Sequence, residues 1–244
     1  MKTTLLLISL ITYFAINAQV TDVNGKTYNT TTIGTQIWMS ENLDVDRFQN
    51  GDIIPQAKTR EDFEKANSKQ KPSWCYYDGR KIQDDPINGE KYGKLYNWYA
   101  VNDKRGLAPK GYRISSEDDW AILGNYLGGL KFAAGFLKTS ESWGSKDYFR
   151  NDYSTFTLEC GGENSTYFNA LPAGYVNSNL INLYISESAF FWTSSNNTNN
   201  EGQAIYFQMN GCKAYDPDRN VTHNELKRGK DSQNCYMSVR CVKN

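Results

Sequence analysis

Residues 92–129, YGKLYNWYAVNDKRGLAPKGYRISSEDDWAILGNYLGG, constrain the fold most, because one continuous run specifies a strand, a turn and a helix. The helix start is explicit. Ser116 stands three residues before Asp119, an arrangement in which the hydroxyl accepts from a free backbone N–H and the carboxylate reaches back to the cap. Glu117, Asp118 and Asp119 place negative charge in the first turn, where the helix dipole favours it. Trp120, Leu123 and Leu127 share one face, and Gly128-Gly129 supplies the left-handed residue that ends the helix. Upstream, residues 92–101 read as an aromatic strand. Alternation puts Tyr96 and Trp98 on one side and Tyr99 on the other.

The rest of the chain is built from similarly short pieces. Asn24-Gly25 between two β-prone runs is a hairpin signal, and Gly34-Thr35 marks a second turn. Residues 59–66 read as a short polar helix capped by Thr59. Residues 132–143 fit helix or loop equally. Residues 168–175 read as a strand broken at Pro172, 190–195 and 204–209 as strands, 211–234 as a polar excursion, and 236–242 as the closing strand. Many short strands with two or three helices, no repeat and no linker indicate one α+β domain rich in loops.

The first eighteen residues have the pattern of a secretory signal: Lys2, an apolar run over residues 5–14, and the small Ala18 at the expected cut. The apolar run is too short to span a bilayer and no later segment is a candidate. Gln19 rather than Cys follows the cut, so no lipoprotein anchor is expected, and no separate sorting domain is expected after Cys241. The expected organisation is therefore a signal over residues 1–18 and one exported domain over 19–244. A formal net charge of +0 argues against a broad footprint for nucleic acid.

Five cysteines in an exported chain imply disulfides with one left over. Cys235–Cys241 is disfavoured, because six residues of extended strand span about 20 Å against the ~6 Å a disulfide tolerates between Cα atoms. The preferred arrangement among the remaining ones is Cys75–Cys241 with Cys212–Cys235, leaving Cys160 free.

With these motifs in place, the chain resembles the Fibrobacter succinogenes major paralogous domain family of bacterial exported proteins. The resemblance rests on DVNGKTYNTTTIGTQIWMSENL, WCYYD, YGKLYNWYAV, LAPKGYRISSEDDW, FNALPAGY, FFWTSS and SVRCV, in this order from about residue 20 to 243. It implies a C-type-lectin-like fold, of the group that includes formylglycine-generating enzymes, with amino- and carboxy-terminal strands paired. Two features depart from the family: the long polar insertion at 212–235 and Cys160-Gly161-Gly162. Any ligand specificity is expected to be altered there, and a fold of this kind hosts unrelated functions.

Candidate chemistry is sparse. Asp216, Asp218 and Asn220 imitate half of a calcium loop, but Val221 and Lys227 occupy the positions that need Gly and Glu. The Glu-Pro-Asn and Gln-Pro-Asp sugar motifs of calcium-dependent lectins are absent. His223 is the sole histidine, too few for a histidine-based zinc site, and no G-x-S-x-G nucleophile context occurs. No cofactor and no metal are expected. Trp192, Ser194, Ser195, Asn196 and Asn197 end a strand in a polar loop, a combination of aromatic face with hydroxyls and amides that suits sugars. Trp192 equally suits a core. The expectation is an exported non-catalytic domain that binds a glycan, polymer or protein at or outside the cell surface. The alternatives are a structural component of the envelope with no small ligand and, more distantly, a thiol-oxidising enzyme using Cys235 and Cys241.

Overall fold

The computed structural model describes residues 18–77, 91–149, 155–196, 198–211 and 224–244. The domain starts with an antiparallel ribbon of β1 (Gln19–Thr21), β2 (Thr27–Ile33) and β3 (Gln36–Met39). Both glycine-marked turns fall where the sequence puts them. At Gly34, φ is 60° and a Cβ would lie 2.8 Å from the ring of Tyr126, so left-handed backbone and lack of space both require glycine.

Helix α1 (Arg60–Ser68) has the Thr59–Asp62 capping box in full, and β4 (Trp74–Cys75) follows. The aromatic run at 92–101 differs from its reading as one strand. It is β5 (Leu95–Asn97) followed at once by the short helix α2 (Trp98–Val101). Asn97 makes the switch: its Oδ1 accepts from the N–H of Ala100 at 3.1 Å and of Ser73 at 3.0 Å. A side-chain acceptor that caps the next turn ends the strand.

After β6 (Tyr112–Ile114) comes α3 (Glu117–Tyr126), with the Ser116–Asp119 box present in both directions. Gly129 N–H bonds to the carbonyl of Gly124 and Gly128 N–H to that of Asn125, the paired closure that needs a left-handed residue, here Gly128 at φ 87°. The first half of the ambiguous 132–143 stretch belongs to helix α4 (Leu130–Leu137). A hairpin of β7 (Ser145–Phe149) and β8 (Thr155–Glu159) follows. The remaining strands are β9 (Ala173–Val176), β10 (Asn182–Ile185), β11 (Ser188–Asn196), β12 (Gln203–Asn210), β13 (Leu226–Ser232), β14 (Tyr236–Val239) and β15 (Cys241–Lys243). Most of the polar excursion expected after Gly211 that is described is thus a strand, paired along its whole length with β12.

The strands form a five-stranded sheet, β1-β2-β3-β15-β6, and a larger one, β13-β12-β11-β9-β14-β5-β4, with β10 on β9. Pairing is antiparallel except where β11 meets β9 and β14. The architecture is therefore mixed α/β with mostly antiparallel sheets, and four short helices among the described residues where two or three were expected. Val242 lies opposite Trp38, so the carboxy-terminal strand pairs with an amino-terminal one.

Strand β11 has an apolar core on each face. Phe191 joins Trp38, Trp120, Phe168 and Phe207 on one side, and Phe190 and Trp192 join Tyr96 and Met237 on the other. Trp120 is the hub of the first core. Its ring lies 5.0 Å from Trp38, 5.4 Å from Phe191, 5.4 Å from Phe207 and 5.7 Å from Phe168. Such contacts contribute roughly 0.5–1.5 kcal/mol per ring pair beyond the burial itself.

The closing strand is interrupted at Arg240, which divides it between the two sheets. This guanidinium is fully buried. It donates to Asn42 Oδ1 at 2.7 Å and to the carbonyls of Met39 (2.9 Å), Phe168 (2.6 Å) and Asn169 (2.9 Å), and it lies 4.4 Å from the Phe168 ring centroid. Burial lowers its pKa to about 9, so it stays charged at neutral pH. Arg240→Met should cost about 4 kcal/mol, because four buried acceptors lose their donor at once. Arg240→Lys should recover only part, since an ammonium lacks the planar fork. Urea denaturation checks this, and a loss under about 1 kcal/mol for the Met variant would contradict it.

Asp119 yields a pH signature. Burial pulls its carboxyl up, but bonds from Arg113 and from the Ser116 N–H and hydroxyl outweigh burial and hold it below the usual carboxylate range. A depressed folded pKa stabilises fully above the unfolded value of about 3.9 and loses that contribution as pH falls through the folded value. Asp119→Asn should therefore cost about 2 kcal/mol at about pH 6, with the gap to wild type closing below about pH 4. Thermal melts across pH test this; a gap that persists unchanged in acid excludes the carboxylate as its source.

Candidate functional site

Trp192 does not face solvent. Its exposure is 0%, and its Nε1 donates to the carbonyl of Tyr96 at 3.0 Å. The reason is position: β11 lies inside the larger sheet with a core on both faces, so no residue of its first six is exposed. Trp98 is 5% exposed, and its Nε1 donates to Thr193 O at 3.1 Å. The tail of β11 is engaged locally. Ser194 N–H donates to Ser115 O, Ser195 Oγ accepts from Glu117 N–H at 3.0 Å at the start of α3, and Asn196 Oδ1 accepts from Gln233 Nε2 at 3.3 Å. The side chains of Ser194 and Asn196 are exposed. Asn197 lies outside the described residues, as do Cys212, Asp216, Asp218, Asn220 and His223. The described end of the 212–235 insertion, through Gln233, does meet the end of β11.

The cysteines differ from the expected pairing. Cys75 and Cys241 are free thiols, both buried, and so is Cys235. Cys160, expected to be left over, is disulfide-bonded. Cys75 and Cys241 sit in different strands and different sheets, each packed into its own apolar cluster, so the fold needs no staple between them. Burial pushes all three free thiols up, with Asp231 adding to the effect at Cys235. Buried thiols with raised pKa are poor nucleophiles. Alkylation in guanidinium without reductant should label Cys75, Cys235 and Cys241, and Cys160 only after reduction; in native buffer all should resist. A peptide linking Cys75 to Cys241, or labelling of Cys160 without reductant, would overturn this.

The feature with the geometry of a site is a row of rings across four strands. Tyr184 on β10 stacks on Tyr175 on β9 at 6.2 Å and an interplanar angle of 12°. Tyr175 touches Phe190 on β11 at 4.5 Å, and Phe190 touches Tyr206 on β12 at 5.7 Å. Opposite Tyr206 on β13 stands Gly229, where a Cβ would collide with the phenol, so the ring lies flat over the neighbouring strand. Phe190 is buried, Tyr175 and Tyr206 are half-buried, and Tyr184 is 48% exposed.

Backbone strain and burial both act on this row. Tyr184 holds φ at 64°, a left-handed conformation that costs a bulky residue roughly 1–2 kcal/mol. Burial raises the pKa of Tyr175 and Tyr206, and Asp231 and Cys235 raise both further. Both phenols are neutral hydroxyls at physiological pH, as tyrosines ordinarily are. Apolar ring faces edged by neutral hydroxyls and one carboxylate can stack on the C–H face of a sugar and bond its hydroxyls. Sequence reading missed the row. Tyr175 was visible only as part of FNALPAGY, Tyr184 lay in an unassigned run, and nothing local indicates that residues 175, 184, 190 and 206 meet. The alternation of Phe190 with Trp192 was the available signal, and it gives one strand of four.

Among the described residues no cluster of three or more His, Cys, Asp or Glu is arranged to hold a metal, and no helix is long and apolar enough to cross a membrane. Fold and site together define a mixed α/β domain with an aromatic row on its surface. Residues 31–243 match the Fibrobacter succinogenes major domain, and the chain belongs to that family. No curated protein and no solved structure matches it.

Proposed function

We propose that this chain is an exported, non-catalytic recognition domain of C-type-lectin-like architecture that binds a glycan at or outside the cell surface through Tyr175, Tyr184 and Tyr206. The observation that carries this reading is Tyr184. A tyrosine is held in a conformation that glycine adopts at no steric cost, and its half-exposed ring is stacked on a second tyrosine. Strain of this kind concentrates at ligand-contacting positions. Export is supported by the amino-terminal signal pattern. The pairing of the terminal strands supports the lectin-like architecture.

A second reading, a structural or assembly component of the envelope with no small ligand, is favoured by the burial of Trp98 and Trp192. Binding separates the two. Pull-down of the mature chain on cellulose, chitin, xylan and peptidoglycan should retain the protein on at least one, and Tyr184→Gly should weaken that binding about tenfold, equivalent to ~1.4 kcal/mol of lost stacking. Stability should stay within about 1 kcal/mol of wild type, because relief of backbone strain offsets the lost ring contact. Retention on none of the four, or an unchanged Tyr184→Gly variant, would favour the structural reading.

A further inference from the structure

Away from the tyrosine row, two grooves of about 230 Å³ and 580 Å³ adjoin and share Lys71 and Pro72 as their common wall. The smaller runs along α1, past Lys65 and Lys69. The larger runs over Trp98 and Tyr99 to Lys104 and Arg105 in the turn after α2. Five cations line the pair of grooves against two carboxylates, Asp62 and Asp103. Both carboxylates are already engaged. Asp62 accepts from the backbone N–H groups of Thr59 and Lys58 in the α1 cap. Asp103 chelates Arg105 through both oxygens, at 2.9 Å and 2.8 Å. Among the described residues Lys69, Lys71 and Lys104 form no ion pair.

A lysine-rich helix end has a simpler explanation, since cations stabilise the negative pole of the helix. That accounts for Lys65 and Lys69. It does not account for Lys104, which reaches the groove from a different element. It does not account for Gln70 either. Gln70 is the residue that closes α1, with its N–H on Asn67 O and the next N–H on Ala66 O, and it holds φ at 51°. Glycine closes a helix there without steric cost. Here a long amide takes the position instead and lines the groove beside Lys71.

We propose that these joined grooves bind an anionic polysaccharide, with carboxylate groups on Lys69, Lys71 and Lys104, and the sugar rings along Tyr99 and the Gln70 amide. Tyr99 is held for this by its hydroxyl, which bonds to Asn234 Oδ1 at 3.1 Å, leaving its ring half-buried along the groove. A polyanion site on a chain of zero net charge is local, so binding must be salt-sensitive yet selective for the polymer that also fits the groove.

The test is affinity electrophoresis of the mature chain in gels containing polygalacturonic acid, its methyl ester, dextran, or poly-glutamate. Retardation by polygalacturonic acid is expected, with at least tenfold weaker binding for Lys71→Ala/Lys104→Ala, recovery in Lys71→Arg/Lys104→Arg, and no retardation by the methyl ester or dextran. Tyr184→Gly should leave this binding unchanged, which separates the groove from the tyrosine row. These side chains are exposed, and unaltered melting confirms that the variants are folded. Equal retardation by the ester, retardation by poly-glutamate as strong as by the polysaccharide, no retardation at all, or an unaffected lysine double variant would each overturn the proposal.

Discussion

The guanidinium of Arg240 is the contact on which the two sheets depend. It sits at the break between β14 and β15 and collects acceptors from Met39 and Asn42 near the amino terminus and from Phe168 and Asn169 in the middle of the chain. Three distant segments are thereby fixed at one point. Burying a cation without a directly bonded carboxylate is costly unless each donor finds a partner, and here carbonyl dipoles, the rings of Phe168 and Phe191 and the nearby charge of Glu41 supply the compensation. Tyr167 and Asn169, which flank Phe168, hold φ at 55° and 54°. That local strain, about 1 kcal/mol per residue, is offset by the bonds the guanidinium forms with these carbonyls. A neutral centre of the same size would leave that backbone with strain and no return.

The dependence on distant partners also explains which features could be read from sequence. Thr59–Asp62, Ser116–Asp119, Gly128-Gly129 and Asn24-Gly25 were legible because each motif is complete within a few residues and its energy is local. The strand break at Asn97 is a local cap on Ala100, hidden because the aromatic run around it reads equally as strand. The break at Arg240 was not legible, because the groups that impose it, Met39 and Phe168, come from elsewhere. The cysteine pairing failed for the same reason. Cys241 near the chain end suggested a staple, but it is an apolar residue of β15 opposite Ile114. Thiol proximity is a tertiary property, and composition counts thiols without locating them.

The tyrosine row was hidden more deeply. Its members come from four strands, and the most exposed of them, Tyr184, lies where the backbone violates strand geometry. Propensity cannot anticipate such a residue. On the neighbouring strand β9, Gly174 also holds positive φ, 62°, and has no room for a side chain between Leu183 O and the ring of Tyr77. Both residues hold positive φ in this ribbon, and the Tyr184 ring lies at 12° to that of Tyr175.

Aromatic chemistry is divided between core and surface by residue type. All six tryptophans are buried, and every indole N–H has an internal acceptor: Gln36, Ile54, Thr193, Ser115, Thr139 and Tyr96. An indole satisfied in this way has no N–H left to offer a ligand, and exposing it would strand its acceptor as well. Tyrosine has the opposite economy: its ring can pack against the core while its hydroxyl stays at the water boundary. Tyr175 and Tyr206 do this against Phe190. The same logic holds at Tyr99, whose hydroxyl is fixed by Asn234 while its ring lines a groove. At these positions tyrosine is the residue chemically suited to the water boundary, and the proposed stacking on a ligand rests on these tyrosines rather than on the tryptophans that hold the core.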